Sequence, residues 1–586
     1  LKGSKILETL ISHINERGER KPLREHLNSV AQNTSTLLRF VGLAQTGFLA
    51  GLTHDFGKAK AEFVAYLEKS CDSNLEKKPA RGSVNHTFAG VRYILENFHT
   101  QTPKTEQQMF KNFTAELVAY AVGAHHGLFD AISESGKDFL HRLNYDKKEI
   151  HYDEAKENFL ELFSENEIEE IFKKAVCEIQ KVKFNTKIDT ALLSRLILSA
   201  LIASDRKNAR EFDCGLKDGE VKFDFEANLA FLENKLKSRQ SDSPINKIRK
   251  KISDEISKKA NLLSGIYRLN APTGAGKTLA TLRFALAHAV KKQKSRVVFV
   301  APFLSIIEQN AKVIKEHLLA PLALLEHHSN AIKPHEGELL DSYELHCQNW
   351  QTPLITTTFM QFLNTLFDGA TTSVARFCSL INSVIVIDEV QSIPPKVTYM
   401  LNETLNFLSS FCNATIVLSS ATQPKFDSVK HPLNISGDLL NLSAEELKPF
   451  ERVKFSAFCA PKEAMDFAEF GEFCKNLASN KNSLLVVCNT RKQARELFSS
   501  LKNENGDVFH LSTSMCVAHR KAVLEQIKKR LKSGLKCVCV STQLIEAGVD
   551  VSFESVVRVK AGLDSLIQAA GRCNREGESE NKGEVL

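Results

Sequence analysis

The chain has no C-x-x-C pair, although it carries 13 cysteines. An odd, unpatterned set speaks against a disulfide framework and for thiols buried in a reducing compartment. Cys537 and Cys539 stand two apart in an apolar run, hence on one face of a strand. No apolar run approaches the ~18 residues that span a bilayer. The first twenty residues lack the apolar core of a secretory leader. A membrane role is therefore not expected, and a cytoplasmic location is. Long repeats and low-complexity tracts are also missing. Neither sign of charge dominates: the net charge is +7, compatible with a polyanionic partner and equally with an ordinary, slightly basic enzyme.

What is present is a globular composition, 43% apolar and 25% charged over 586 residues. That length is too great for one core and points to roughly three or four domains. Residues 1–215 read as helical, with apolar residues at three and four spacing in 37–50, 115–124, 157–163 and 189–203. Residues 216–250 read as a polar, Lys-rich linker broken at Ser241-Asp242-Ser243-Pro244, its end running into a helix from Ile245 to Lys259. Short β-branched runs follow at 266–269, 296–300, 354–357, 384–387, 415–418, 484–488, 536–540 and 555–559, alternating with helical stretches. This predicts parallel sheets covered on both faces, in two α/β domains at 251–445 and 446–586. The chain opens on Leu1 rather than Met and stops at Leu586 as a strand begins, so a fragment or an early end is expected.

The polar motifs all follow strands, where ligand sites of such sheets lie. In Pro272-Thr273-Gly274-Ala275-Gly276-Lys277-Thr278 the glycines let the loop curl. Its backbone amides would cradle phosphates, Lys277 would reach the β- and γ-phosphates, and Thr278 would ligate Mg²⁺. Ala271 stands where the full pattern has Gly. The apolar run 384–387 ends in Asp388-Glu389-Val390-Gln391. Asp388 suits the Mg²⁺ shell, and Glu389 the polarising of an attacking water. Ser420-Ala421-Thr422, Ser541–Asp550 and Gln568-Ala569-Ala570-Gly571-Arg572-Cys573-Asn574-Arg575 come later. Arg572 and Arg575 suit the arginine-finger task on a γ-phosphate across a cleft. The set resembles a superfamily two helicase over 265–580, with motifs in family order. The resemblance implies two RecA-like domains, ATP with Mg²⁺ bound by residues 273–278, Asp388 and Gln568, and 3′-to-5′ movement on a single strand. Thr356-Thr357 and Ser541-Thr542 would then touch the phosphate backbone.

The N-terminal part holds His26, His54-Asp55, His86, His125-His126 and Asp205. Imidazole with carboxylate suits Mn, Fe, Co, Ni or Zn better than Mg. Neighbours on a helix diverge by ~100°, so Asp55 is expected to bridge two metals with His54 on one of them. Such a pair activates water and stabilises a leaving oxygen, and Lys58 would neutralise the scissile phosphate. His327-His328 lacks a carboxylate string and is left out. The seven ligands resemble the HD phosphohydrolase superfamily. An all-α HD domain followed by two RecA-like domains resembles the CRISPR-associated helicase-nuclease of type I systems, strings 53–58, 124–127, 271–278, 388–391 and 568–575 included. That resemblance implies an ATP-driven translocase and metal-dependent endonuclease acting on single-stranded and R-loop DNA opened by the surveillance complex Cascade, and a monomer. It also implies a C-terminal domain, which is expected to be missing here. The alternatives are a translocase with a non-catalytic HD docking domain, or an HD phosphohydrolase for another nucleic acid or nucleotide.

Overall fold

The computed structural model describes residues 10–586 apart from 73–74, 76, 81, 129–137, 145–146, 215–222, 239–242, 330, 332–337, 457–464, 503–505, 547 and 576–581. Ser241, Asp242 and Ala547 of the strings above thus lie outside the described residues. Among the described residues, no helix is long and apolar enough to cross a membrane.

A two-stranded hairpin, β1 (Ile11–Ile14) and β2 (Arg20–Pro22), precedes the helices. Four helices then matter most: α1 (Leu23–Leu38), α2 (Ala44–Thr53), α3 (Thr87–Phe98) and α4 (Glu106–Ala124). The apolar stretch 37–50 is not one helix. Gly42 adopts φ +73°, a left-handed conformation that ends one helical segment before α2 begins. A capping box of Thr105 and Gln108 starts α4, satisfying amides that the first turn leaves unpaired. α5 (Lys187–Cys214) is the longest helix. It runs on past Asp205.

The stretch read as a linker is largely helical. α6 (Phe225–Ser238) and α7 (Pro244–Lys258) pack on α8 (Lys277–Lys292), and Arg283 of α8 bridges Glu233 and Asp254. Leu232, Ile252 and Ile256 are buried there, so these helices belong to the core of the first α/β domain.

That domain's seven-stranded parallel sheet comprises β3 (Ile266–Asn270), β4 (Arg296–Ala301), β5 (Leu324–His327), β6 (Leu354–Thr358), β7 (Ser383–Asp388), β8 (Thr415–Ser420) and β9 (Ile435–Asp438), in the order 5-6-4-7-8-3-9. Val298 lies between Ile355 and Ile385, an apolar register that both faces bury. The second sheet, all parallel, comprises β10 (Val453–Phe455), β11 (Ser483–Val487), β12 (Val508–Leu511), β13 (Cys537–Ser541), β14 (Ser555–Arg558) and β15 (Gly583–Val585), in the order 10-15-14-11-13-12. Cys537 and Cys539 both face its interior. A short helix, α9 (Leu563–Ala570), carries the last motif.

Candidate metal centre and nucleotide site

Five helices bring the N-terminal ligands together. His26 sits one turn into α1, His54 and Asp55 just past α2, His86 just before α3, and His125 and His126 just past α4. Asp205 projects from within α5. Donor atoms of His26, His54, Asp55 and Asp205 lie within 4.8 Å of one another, as do those of Asp55, His86 and His126. Asp55 is common to both groups. Its Oδ2 lies 3.1 Å from His26 Nε2 and 3.2 Å from His54 Nε2. Its Oδ1 lies 3.7 Å from both His86 Nε2 and His125 Nε2.

Backbone and amide acceptors fix which ring nitrogen faces inward. The Nδ1 atoms of His54, His86 and His125 lie 2.7, 3.1 and 2.6 Å from the carbonyls of Gly51, Val84 and Val122. His26 Nδ1 lies 2.8 Å from Asn208 Oδ1, whose other neighbour is the Lys21 ammonium at 2.7 Å. Each Nδ1–H therefore donates outward, leaving the Nε2 lone pair directed at the centre. The Nε2 atoms of His54 and His125 and the Oδ1 of Asp55 are buried without a hydrogen-bond partner. His86 Nε2 and His126 Nε2 face each other at 2.9 Å. Burial lifts the Asp55 carboxyl, but the charges of Lys58 and His54 outweigh it and hold it well below the usual range. Burial lowers His54, yet Asp55 and Asp205 pull it up to about 10, so its Nε2 holds a proton that a bound cation would displace to free the lone pair. Imidazole nitrogens converging on the buried Asp55 and the partly exposed Asp205 fit a divalent cation in each donor group.

Lys58 Nζ lies 2.7 Å from Asp55 Oδ2, and it also donates to Ser12 O at 3.4 Å. Sequence reasoning missed Asn208 and His13. Asn208 stands three residues after Asp205 on one helix face, a signal that could have found it. His13 packs its ring edge-on 4.9 Å from His26, and a lone histidine in a short strand carries no such signal.

At the second site the phosphate loop joins β3 to α8. Gly274 and Gly276 take φ +84° and +79°, open to glycine at little cost. Lys277 Nζ donates to Ala271 O at 3.3 Å, and Thr278 Oγ1 to Asn310 Oδ1 at 3.1 Å. Asp388, at the tip of β7, accepts from Ser419 Oγ at 2.8 Å. Burial and the adjacent Glu389 push Asp388 upward, with Lys277 opposing. Glu389 takes φ +49°, and Gln391 Nε2 holds its Oε2 at 2.6 Å. Ser420 Oγ donates to Gln391 Oε1 at 2.6 Å and accepts from Thr422 N at 2.9 Å, while Thr422 Oγ1 donates to Asp564 Oδ1 of α9 at 2.7 Å. A polar chain thus leads from Glu389 across the cleft to the helix of the last motif. A Cβ on Gly571 would lie 2.8 Å from Thr273 Cγ2, so that motif abuts the phosphate loop, and Gln568 stands three residues earlier on α9.

Arg572 and Arg575 face their own domain. Arg572 is buried and donates to the carbonyls of Ile545 at 3.0 Å and Glu546 at 2.7 Å. Arg575 pairs with Asp550 at 3.0 Å. Arg572 keeps its Nη1 buried without a hydrogen-bond partner, while Arg575 would have to leave Asp550 to offer its Nε to a γ-phosphate. Thr356 and Thr357 are buried, and their hydroxyls serve Leu325 O and His327 O, so neither side chain is presented to a nucleic acid here. Ser541 Oγ likewise donates to Leu511 O. His327, set aside above, accepts from Trp350 Nε1 at 2.9 Å within the sheet's edge.

Three family models match in succession: the Cas3 HD domain over 14–208, a DEAD/DEAH box helicase over 246–429, and the C-terminal region of the CRISPR-associated nuclease/helicase Cas3 over 480–578. The CRISPR-associated nuclease/helicase Cas3 of Haloferax volcanii is 22% identical, covering 95% of this chain and 74% of its own. That of Streptococcus thermophilus is 23% identical, covering 90% and 64%. The chain thus spans about two thirds to three quarters of these relatives. Among solved structures, T. fusca Cas3 with AMPPNP superposes with a TM-score of 0.62 at 17% identity, over 99% of this chain and 75% of that one. A chain in a CRISPR RNA-guided surveillance complex in its pre-nicking state gives 0.59 at 15% identity, over 99% and 73%. The order of the three models, the relatives matched along nine tenths of the sequence and the shared fold together make this chain a member of the Cas3 family of CRISPR-associated nuclease/helicases.

Proposed function

We propose that this chain moves 3′-to-5′ along single-stranded DNA by ATP hydrolysis and cuts that strand at the N-terminal centre, after recruitment to an R-loop opened by the type I surveillance complex. The observation that carries the nuclease half is the single Asp55 carboxylate shared by two donor groups. Cations bound there, of the Mn, Fe, Co or Ni kind, would supply a Lewis acid and an activated water. The chain's own residues do the rest. The outward Nδ1 hydrogen bonds fix the rings of His26, His54, His86 and His125 in place. Lys58, already ion-paired in the centre, is placed to meet the charge of a phosphodiester.

In the motor, Lys277 and the loop amides hold phosphates. Gln391 orients Glu389, which accepts a proton from the attacking water. The Ser420–Thr422–Asp564 chain lets α9 feel the state of Glu389. Neither site reads a base, so base identity is left to guide pairing.

The test is circular single-stranded DNA with Mn²⁺ or Ni²⁺, with and without ATP. Cutting by wild type, lost in Asp55→Ala and independent of ATP, supports the reading. No cutting, with DNA-stimulated ATPase intact and lost in Lys277→Ala, would leave a translocase with a docking HD domain.

A further inference from the structure

The tip of the phosphate loop is gripped from two sides by arginines outside the helicase motifs. Arg249 of α7 donates from Nε to Gly274 O at 2.7 Å. Arg452, directly before β10, donates from Nη2 to Thr273 O at 3.0 Å. The two captured carbonyls belong to consecutive peptide planes flanking Gly274. A Cβ on Gly274 would lie 3.0 Å from Arg452 Nη2, so the guanidinium rests directly on this glycine. At φ +84° Gly274 is the residue about which those planes could most easily flip. In a trans peptide the N–H points opposite to its carbonyl. Holding Thr273 O and Gly274 O therefore fixes where the Gly274 and Ala275 amides point. The Gly274–Ala275 plane is held at both ends, because Ala275 N also donates to Pro272 O at 3.2 Å. Amide direction decides whether such a loop can bind phosphate.

The two arginines are not equivalent. Arg249 is on a helix of the first motor domain's core. Arg452 belongs to the crossing into the second: its carbonyl accepts from Gly583 N at 2.9 Å, at the start of β15. Arg452 thus bonds the phosphate loop with its side chain and the second sheet with its backbone.

We propose that Arg452 is a positioning residue for ATP hydrolysis, tying the peptide planes at Thr273 and Gly274 to the placement of the second motor domain, while Arg249 holds the loop tip within the first. This rests on the ATPase reading above. Arg249→Met and Arg452→Met keep the aliphatic stems and remove the donors. Arg249→Met should raise the KM for ATP about tenfold and leave kcat within threefold, because the tip must be ordered on binding. Arg452→Met should lower the DNA-stimulated kcat at least tenfold. Arg452→Lys, which keeps one donor, should recover most of that loss. Equal KM-only effects in both Met variants, or wild-type kinetics in Arg452→Met, overturn the proposal.

Hydrogen exchange of the wild-type chain gives a readout that no folding defect can blur. ADP should alter protection at both 271–278 and 450–455, and a response confined to 271–278 also overturns the link. Absence of DNA-stimulated hydrolysis in the wild type, by contrast, would count against the ATPase reading itself.

Discussion

Asp55 is one carboxylate serving two half-sites, and its substitution should be felt in both. In calorimetric titrations with Mn²⁺, wild type should bind two ions, His126→Ala one, and Asp55→Ala none. Two ions in His126→Ala would show that this histidine is not a ligand. Glu389→Gln keeps the shape of the water-facing group but not its basicity. ATP affinity should stay within threefold while turnover falls on the order of a hundredfold or more, which single-turnover hydrolysis would check. Apart from His26 and Asp205, the ligands were legible because each lies in a short string at a helix end, where a polar residue beside an apolar run has no packing reason to exist. Asp205 was legible by type but not by place, because α5 continues for two more turns beyond it. The tautomer-setting carbonyls of Gly51, Val84 and Val122 were invisible, since every residue has a carbonyl.

Among elements, the central strands were readable and the edges were not. β4, β7 and β8 are buried on both faces, which demands near-continuous apolar sequence. β5, β9, β10, β12 and β15 are short, lie at or near sheet edges, and include half-exposed residues such as Glu326 and Asp438, so no such demand marks them. The loop after β13 was recognised as a motif, but its role as a spacer was not. A Cβ on Gly548 would lie 2.4 Å from Ile306 N and 2.6 Å from Ser305 C, and φ is +69°. Gly548→Ala should therefore wedge the second motor domain away from the segment after β4 and lower DNA-stimulated ATPase several-fold, with ADP binding retained. Unchanged turnover would mean the cleft closes without this contact.

Helix α8 offers a pH test. His288 Nδ1 donates to Ala260 O at 2.9 Å, so Nε2 accepts from Thr415 Oγ1 at 2.8 Å and the ring is neutral. Burial lowers it to about 4. Stability from this group is complete above about pH 6.5 and is lost as pH falls through 4. A full shift of that size is worth on the order of 3 kcal/mol. Denaturant midpoints at pH 7 and pH 5 should differ less in His288→Gln than in wild type. An equal difference would assign the acid sensitivity elsewhere.

In the whole molecule, the metal-binding domain and the first motor domain are joined through one helix. α5 carries Asp205 and also grips the first motor domain. Arg195 donates to the carbonyls of Thr365 and Asp368 at 3.0 and 2.8 Å, Ser199 Oγ accepts from Cys378 N at 2.8 Å, and Arg206 bonds Thr371. Apolar residues of α5, among them Leu196 and Leu201, lie in one continuous core with Phe377 and Leu405 of the motor. The second sheet has separate cores. Calorimetry should accordingly show the metal-binding domain and first motor domain melting together, and the second motor domain by itself. Three transitions would mean that the common core is energetically divided. Length could announce roughly three or four domains but not that two of them share an interior, because a helix buried on both sides reads the same whichever neighbours bury it.

That shared interior limits how the protein can be taken apart. The apolar side of α5 facing the motor would be bared if residues 10–214 were expressed alone, and such a fragment should aggregate unless that face is recoated with polar residues. A cut placed at the obvious boundary after the metal-binding domain would divide a core. The workable place to split the chain is further on, at the crossing before β10, where a nuclease fused to half a motor would remain one soluble piece.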